Sequence, residues 1–233
     1  MHSSEVLSGL LANWDLESTS STQAFETSDY CVSGNVTFVE TQAGKRHVLK
    51  HKTVQRTVTQ EHALLAALYE QGVPVAVPRL TRTGEPFVRH GDEYFCLSPY
   101  LPGDVISDHY GAGARERAGC LGEAIACLHI GLKQCQHLVT VPEMNLAHNV
   151  AAASRAAREN DWNDAEGRME AVLSELNSGL AEFNTELPVQ LIHRDAHAAN
   201  VVFLDGHLSG WLDLRLRSEA HVFLMSVIAR PVY

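Results

Sequence analysis

The sequence contains no CxxC pair, although it holds five cysteines: Cys31, Cys96, Cys120, Cys127 and Cys135. Scattered and odd in number, they argue against a zinc ribbon or a dithiol redox pair. Cys120 and Cys127 fall in an apolar helical pattern and are expected in the core. Positive charge is also scarce, with 18 Lys and Arg against 28 Asp and Glu, a net charge of −10. That balance speaks against a general nucleic-acid or membrane-surface binder, which needs a basic face. No stretch approaches the roughly 18 apolar residues of a membrane span. The opening MHSSEVLSGLLANWDLE lacks both a basic n-region and a long apolar h-region, so the cytoplasm is the default compartment. There is no HExxH, no internal repeat and no low-complexity tract.

What remains is a soluble globular composition, 45% hydrophobic and 20% charged, in 233 residues, enough for one large domain or two lobes. Val6, Leu7, Leu10, Leu11 and Trp14 recur at helical spacing and predict a short opening helix. Residues 18–30, rich in Ser and Thr, fit a loop or an edge strand. CVSGNVTFVE and KRHVLKHK predict two strands joined by the turn TQAGK. A helix is expected over about 54–71, with Val58, Leu64, Leu65 and Leu68 buried and Gly72 as its stop. PFVRH and YFCLSPY then form a hairpin, and LPGDVI, with Pro102 and Gly103, is a crossover.

Helical patterns follow at 113–132 and over most of 150–186. The short strands VQLIH, NVVF and LSGWLD come next, then an apolar helix at about 218–228. Strands with one helix, a linker, helices and a small hairpin predict a segregated α+β fold with two lobes.

The chemistry is concentrated in LIHRDAHAANVVF, residues 191–203, where His, Arg, Asp, His and Asn fall between apolar flanks. Three readings compete. His193, Asp195 and His197 alternate and offer zinc-type ligands, as a metal hydrolase would. The Asp and Asn can also merely fix a turn. Phosphoryl transfer is the third and preferred reading, because HRDAHAAN fits H-R-D-x-x-x-x-N. Asp195 would accept the proton of an attacking hydroxyl, and Asn200 would give a neutral oxygen to Mg²⁺. Asp213, ending the apolar strand LSGWL, suits a second Mg²⁺ ligand, since magnesium takes few carboxylates and completes its shell with phosphates. Such a site also needs a strand lysine for the α- and β-phosphates and a helix glutamate to orient it. HVLKH supplies Lys50, with Lys52 on the same side as runner-up, and the following helix supplies Glu61.

Together these segments resemble the aminoglycoside phosphotransferase family, the kinase-like group that includes choline, homoserine and methylthioribose kinases. The resemblance runs from about residue 20 to 225. It rests on GNVTFVETQAGKRHVLK, QEHALLAAL, YFCLSPYLPGDVI, LGEAIACLH and, most specifically, LIHRDAHAANVVFLDGHLSGWLDL. It implies a protein-kinase-like bilobal fold. The N-lobe would be residues 1–100, an antiparallel sheet with one helix, with a hinge at about 97–103. A helical C-lobe with a small catalytic-loop hairpin would span 104–233.

The resemblance also implies ATP and Mg²⁺ as cofactors. Asp195 is the expected catalytic base, Asn200 and Asp213 the metal ligands, and Lys50 and Glu61 the phosphate-binding pair. LSPYL would be the hinge, with the Ser98 carbonyl and the Tyr100 amide meeting adenine. His129 and His193 are expected to be structural.

Three departures accompany it. The glycine-rich loop is reduced to SGN around Gly34, Asp213 is followed by LRLR, and the chain stops 20 residues past Asp213. Relatives usually continue through more helices, so the lower lobe is expected to be incomplete. Apolar Val222, Phe223, Leu224, Met225 and Ile228 predict marginal stability or self-association through that end. The expected activity is phosphotransfer to a hydroxyl of a small molecule such as an aminoglycoside, amino-alcohol or sugar. The rivals are a nucleotide-binding protein without transferase activity and, more remotely, the metal-dependent hydrolase.

Overall fold

The computed structural model describes residues 4–17, 19–24, 36–105, 111–140, 152, 155, 171–172, 174–175, 189–193, 196, 198–214 and 218–221. The chain divides into two compact units, one of residues 1–139 with 195–215, the other of 140–194 with 216–233. Among the described residues no helix is long and apolar enough to cross a membrane.

The first unit opens with α1 (Ser4–Leu11) and an antiparallel sheet in the order β1-β2-β3-β5-β4. Its strands are β1 (Thr19–Ala24), β2 (Val36–Thr41), β3 (Arg46–Lys52), β4 (Val88–His90) and β5 (Glu93–Pro99). Within the Ser- and Thr-rich segment 18–30, residues 19–24 therefore form an edge strand, and the rest lie outside the described residues. Strand alternation gives the sheet two chemically distinct faces. On one, Val39, Leu49, Phe95 and Leu97 pack with Leu7, Leu10, Leu11 and Trp14 in a single apolar cluster. Each such fully buried side chain contributes about 1.5–3 kcal/mol, so α1 is an integral layer of the sheet. Trp14 also satisfies its indole N–H, which donates to the Arg79 carbonyl at 3.0 Å.

Between β3 and β4 lies α2 (Gln55–Glu70), with Val58, Leu64, Leu65 and Leu68 buried as their spacing predicts. It ends where Gly72 takes φ of 80°, a left-handed conformation that glycine adopts without penalty. After the linker comes α3 (Ala114–Cys135), whose buried residues are Ala124, Leu128, Gly131, Leu132 and Cys135. A Cβ on Gly131 would lie 2.8 Å from Leu68 Cδ2 and 2.9 Å from Val73 Cγ2, so its absence permits close approach of α2. This face corrects one expectation. Cys127 is exposed and Cys120 only half-buried, because the buried stripe runs around the other side of the helix.

The linker is welded to a late hairpin. The strand β6 (Asp104–Val105) pairs antiparallel with β8 (Val201–Leu204), which pairs in turn with β9 (His207–Trp211). Asp205 and Gly206, with φ of 51° and 80°, make the tight turn that an Asp-Gly pair favours. Where the linker crosses, Ser209 Oγ donates to the Pro102 carbonyl at 2.5 Å. On the other flank the Trp211 N–H donates to the Pro74 carbonyl at 2.9 Å, tying the loop after α2 to β9.

In the second unit, β7 (Val189–Ile192) pairs antiparallel with β10 (Ser218–His221). The helix expected from 218 is thus replaced at its start by a strand, and the apolar residues 222–228 lie outside the described residues. Residues 152, 155, 171–172 and 174–175 are helical, within the expected span 150–186.

Two glycines should respond oppositely to alanine. Gly103 has φ of 115°, and a Cβ there would lie 2.3 Å from the Phe203 carbonyl oxygen, whereas a Cβ on Gly119 of α3 meets nothing within 4 Å. Urea unfolding should show Gly103→Ala destabilised by at least about 2 kcal/mol, from left-handed strain plus a backbone clash. Gly119→Ala should be neutral or stabilised by up to about 1 kcal/mol through helix propensity. Equal effects would mean that the linker does not press on β8 as described.

Candidate active site

The face of the sheet opposite α1 carries the polar groups. Arg46, Val48, Lys50 and Lys52 alternate along β3, and their cross-strand partners on β5 include Ser98, Cys96 and Tyr94. Lys50 stands opposite Cys96, and Lys52 opposite Tyr94. From α2, Glu61 reaches this face and forms an ion pair with Lys52, both side chains largely buried. The structure therefore gives Glu61 to the runner-up lysine. Lys50 and Lys52 differ by one β-period, so both face the same surface, and the position of Glu61 on α2 decides between them. The Cys96 thiol lies beneath this cluster, with its pKa pushed up to about 12, chiefly by burial. It is held as a neutral thiol and packs as a small apolar wall.

At the linker end of the same face, Phe38 meets Tyr100 edge to face, with ring centroids 5.9 Å apart, and the Arg46 guanidinium lies 5.4 Å from the Tyr100 ring centre. The backbone here departs from the sequence assignment. The Tyr100 N–H donates to the Arg46 carbonyl at 3.1 Å, and Ser98 pairs across the ladder with Val48. Both residues thus direct their main chain inward to β3. Hydrogen-bonding direction alternates along a strand, so Leu97 and Pro99 turn theirs to the other edge. On that edge the Leu97 carbonyl accepts from the Arg79 N–H at 2.7 Å.

The hairpin places the two expected metal ligands together. Asn200 ends a 3₁₀ turn, Ala198–Asn200, that runs straight into β8. Val201 pairs with Trp211, and one step further the Leu212 N–H donates to the Asn200 carbonyl at 2.8 Å. Asn200 and Asp213 consequently flank the open end of one hairpin. Asp213 has φ of 50°, a left-handed conformation that costs a non-glycine residue about 1–3 kcal/mol. Its neighbours hold it there, with Leu212 bonded to Asn200 and Leu214 buried at 3% exposure. A neutral amide oxygen and one carboxylate from these two positions would be a hard, sparse donor set. It fits Mg²⁺ completed by phosphates and water better than it fits zinc. Among the described residues no group of three or more His, Cys, Asp or Glu could hold a metal ion.

Other expected site residues fall elsewhere. Asp195, Arg194 and His197 of the HRDAH segment, and Gly34 of the SGN loop, lie outside the described residues. His193 follows β7 in the second unit and is fully buried, and His129 is half-buried on α3. Sequence reasoning missed Cys96 and Phe38, although counting alternate residues along β5 and β2 from the paired lysine strand would have put both on this face.

A family profile described as the phosphotransferase enzyme family (APH) matches residues 32–216. Among solved structures, an aminoglycoside phosphotransferase from Alicyclobacillus acidocaldarius superposes with a TM-score of 0.63 at 16% identity, covering 92% of this chain and 67% of that one. The amicoumacin kinase hAmiN, in complex with AMP-PNP, Ca²⁺ and Ami, gives 0.62 at 15% identity, covering 98% and 68%. The spectinomycin phosphotransferase APH(9)-Ia, in complex with ADP and spectinomycin, gives 0.63 at 12% identity, covering 95% and 71%. A sequence comparison with curated proteins gives no match. The structural likeness shows a shared kinase-like α+β fold. Because the family match runs from just before β2 to just past Asp213 and takes in most of the chain, the protein belongs to the phosphotransferase enzyme family.

Proposed function

We propose that the protein transfers the γ-phosphoryl group of ATP, with Mg²⁺, to a hydroxyl group of a small molecule. The observation that carries this reading is the Lys52–Glu61 ion pair on the polar face of the sheet. A lysine otherwise free to rotate is held by a helix carboxylate at the face where a polyphosphate would lie. The structural neighbours add weight, since one was solved with AMP-PNP and Ca²⁺ and another with ADP and spectinomycin.

In this mechanism Lys52 binds the α- and β-phosphates, and Lys50 adds a second cation to the same surface. The Asn200 side-chain oxygen and the Asp213 carboxylate would hold Mg²⁺, which supplies charge neutralisation on the phosphates. Asp195 takes the acceptor's proton as the new O–P bond forms in line with the breaking β–γ bridge, leaving ADP. Catalysis of this kind is mostly positioning and electrostatics. For the base we favour the Pro99 carbonyl and the Leu101 amide over Ser98 and Tyr100. The reason is that the Tyr100 N–H is already spent on Arg46, while alternation turns the Pro99 carbonyl away from β3. The acceptor belongs to the hydroxyl-bearing small molecules, among which aminoglycosides and related antibiotics are the first to test.

Calorimetry should detect Mg-ATP binding at or below millimolar concentration, and silence there would remove the nucleotide reading. Asp195→Asn should cut turnover by about 10²–10⁴ while leaving Mg-ATP affinity nearly unchanged. Asp213→Asn should weaken Mg-ATP binding as well as turnover. If both variants lost metal affinity equally, the division of roles would be wrong.

The lysines can be ranked in the same assay. Lys52→Met should weaken Mg-ATP binding more than Lys50→Met, and Glu61→Gln should reproduce part of the Lys52 effect. A larger loss from Lys50→Met would mean that Lys50 is the phosphate lysine and that Lys52 only braces α2.

A further inference from the structure

The apolar face of the sheet carries two histidines of β3: His51, whose imidazole lies 3.5 Å from the Glu93 carboxylate, and His47 at the linker end. His47 on β3 is 4% exposed and stands across the ladder from Pro99, at the start of the linker. Its Nε2 lies 3.2 Å from the Arg79 guanidinium. A guanidinium only donates, so Nε2 must be the bare acceptor nitrogen and the ring must be neutral.

Arg79 is the hub of this region. Its N–H donates to the Leu97 carbonyl, its carbonyl accepts from the Trp14 indole, and its guanidinium also donates to the Asp15 carbonyl at 3.3 Å. It therefore joins β3, β5 and the segment that follows α1. The charged groups around His47 are Arg79 and, from the β2–β3 turn, Lys45, both cationic. The nearby acids give no relief. Asp15 offers Arg79 its backbone oxygen, and the Glu17 carboxylate is paired with Lys45 at 2.9 Å.

We propose that His47 is an acid-sensitive latch: neutral, it accepts from Arg79 and holds the Trp14 segment against β5, and protonated, it repels Arg79 and loosens that segment together with the linker strand. Protonation converts the acceptor nitrogen into a donor facing a donor and adds a cation beside two others. No covalent bond changes. The physical setting agrees, since burial and then the Arg79 charge lower the imidazole's affinity for a proton below its ordinary value near 6.5. The sign follows from that direction. The unfolded chain takes up the proton first as pH falls, so the latch's contribution is complete above about pH 6.5 and is lost as pH drops toward the depressed folded value. His62 on α2 is shifted the same way by burial and gives a background slope of the same sign.

The test compares the full chain with His47→Gln, whose amide oxygen can accept from Arg79 and cannot titrate. The thermal midpoint and Mg-ATP affinity would be followed in matched buffers between about pH 5 and pH 8. The two proteins should behave alike at about pH 7.5. At about pH 5.5 the wild type should have the lower midpoint, and its affinity relative to the variant should have fallen about three- to tenfold. Arg79→Gln, which removes the facing charge and leaves His47 buried, should show a shallower acid-side slope than the wild type.

Parallel profiles for wild type and His47→Gln would overturn the proposal. The affinity arm rests on the proposed nucleotide site, and the thermal arm does not. A protein that binds no nucleotide yet shows the acid-dependent midpoint difference would keep the latch and refute the nucleotide reading. If His47→Gln does not fold, Arg79→Gln alone decides, its slope matching the wild type only if the latch is absent.

Discussion

The pairing of β3 with β5 determines which side chains of the first unit meet. Fixed in register from His47 opposite Pro99 to Lys52 opposite Tyr94, it sorts one strand into two sets. A shift of one residue would drive Lys50 and Lys52 into the apolar layer under α1 and bring Leu49 to the polar side. Both sides resist that slip. The Leu49, Phe95 and Leu97 cluster would lose its partners, and the Lys52–Glu61 pair could not form. The sheet's hydrophobic layer and the lysines of its polar face thus depend on a single hydrogen-bond register.

Helices α2 and α3 carry that register outward. Glu61 is held where α2 puts it, and α2 is seated on α3 at Gly131 and on β9 through Pro74. The same β9 strand ends at Asp213. Packing on one side of α2 and a backbone hydrogen bond on the other therefore connect the lysine pair with the hairpin.

Much of this was legible in the sequence, and the limits have physical causes. The LDGH turn and the apolar stripe of α2 are local patterns, and both were found where the sequence put them. Lys50 was preferred to Lys52 because a strand pattern fixes the face of a side chain but not which of two lysines the next helix will reach. Ser98 and Tyr100 were assigned to the base because a motif shows where the linker lies but not the direction of each carbonyl, which depends on the long-range ladder with Arg46 and Val48. The strand at Ser218–His221 was missed for a related reason. Its partner β7 is distant in sequence, and pairing overrode local periodicity. Cys127 was expected inside because apolar residues occur all around that part of α3.

The link between β6 and β8 also has a consequence for how the molecule assembles. Asp104 pairs with Phe203 and Val105 with Val202, so these contacts close a loop of about a hundred residues. Relative to a ten-residue loop, closure costs about 2 kcal/mol more in chain entropy. During synthesis the sheet, α2 and α3 emerge first and can collapse on α1, but the strand that completes their compact unit arrives only after the intervening segment has been made. The linker edge must wait unpaired through that interval, and an unpaired edge invites mispairing with other chains. Once β8 arrives, the bare Gly103 lets the linker close directly against the Phe203 backbone, and the exposed interval ends.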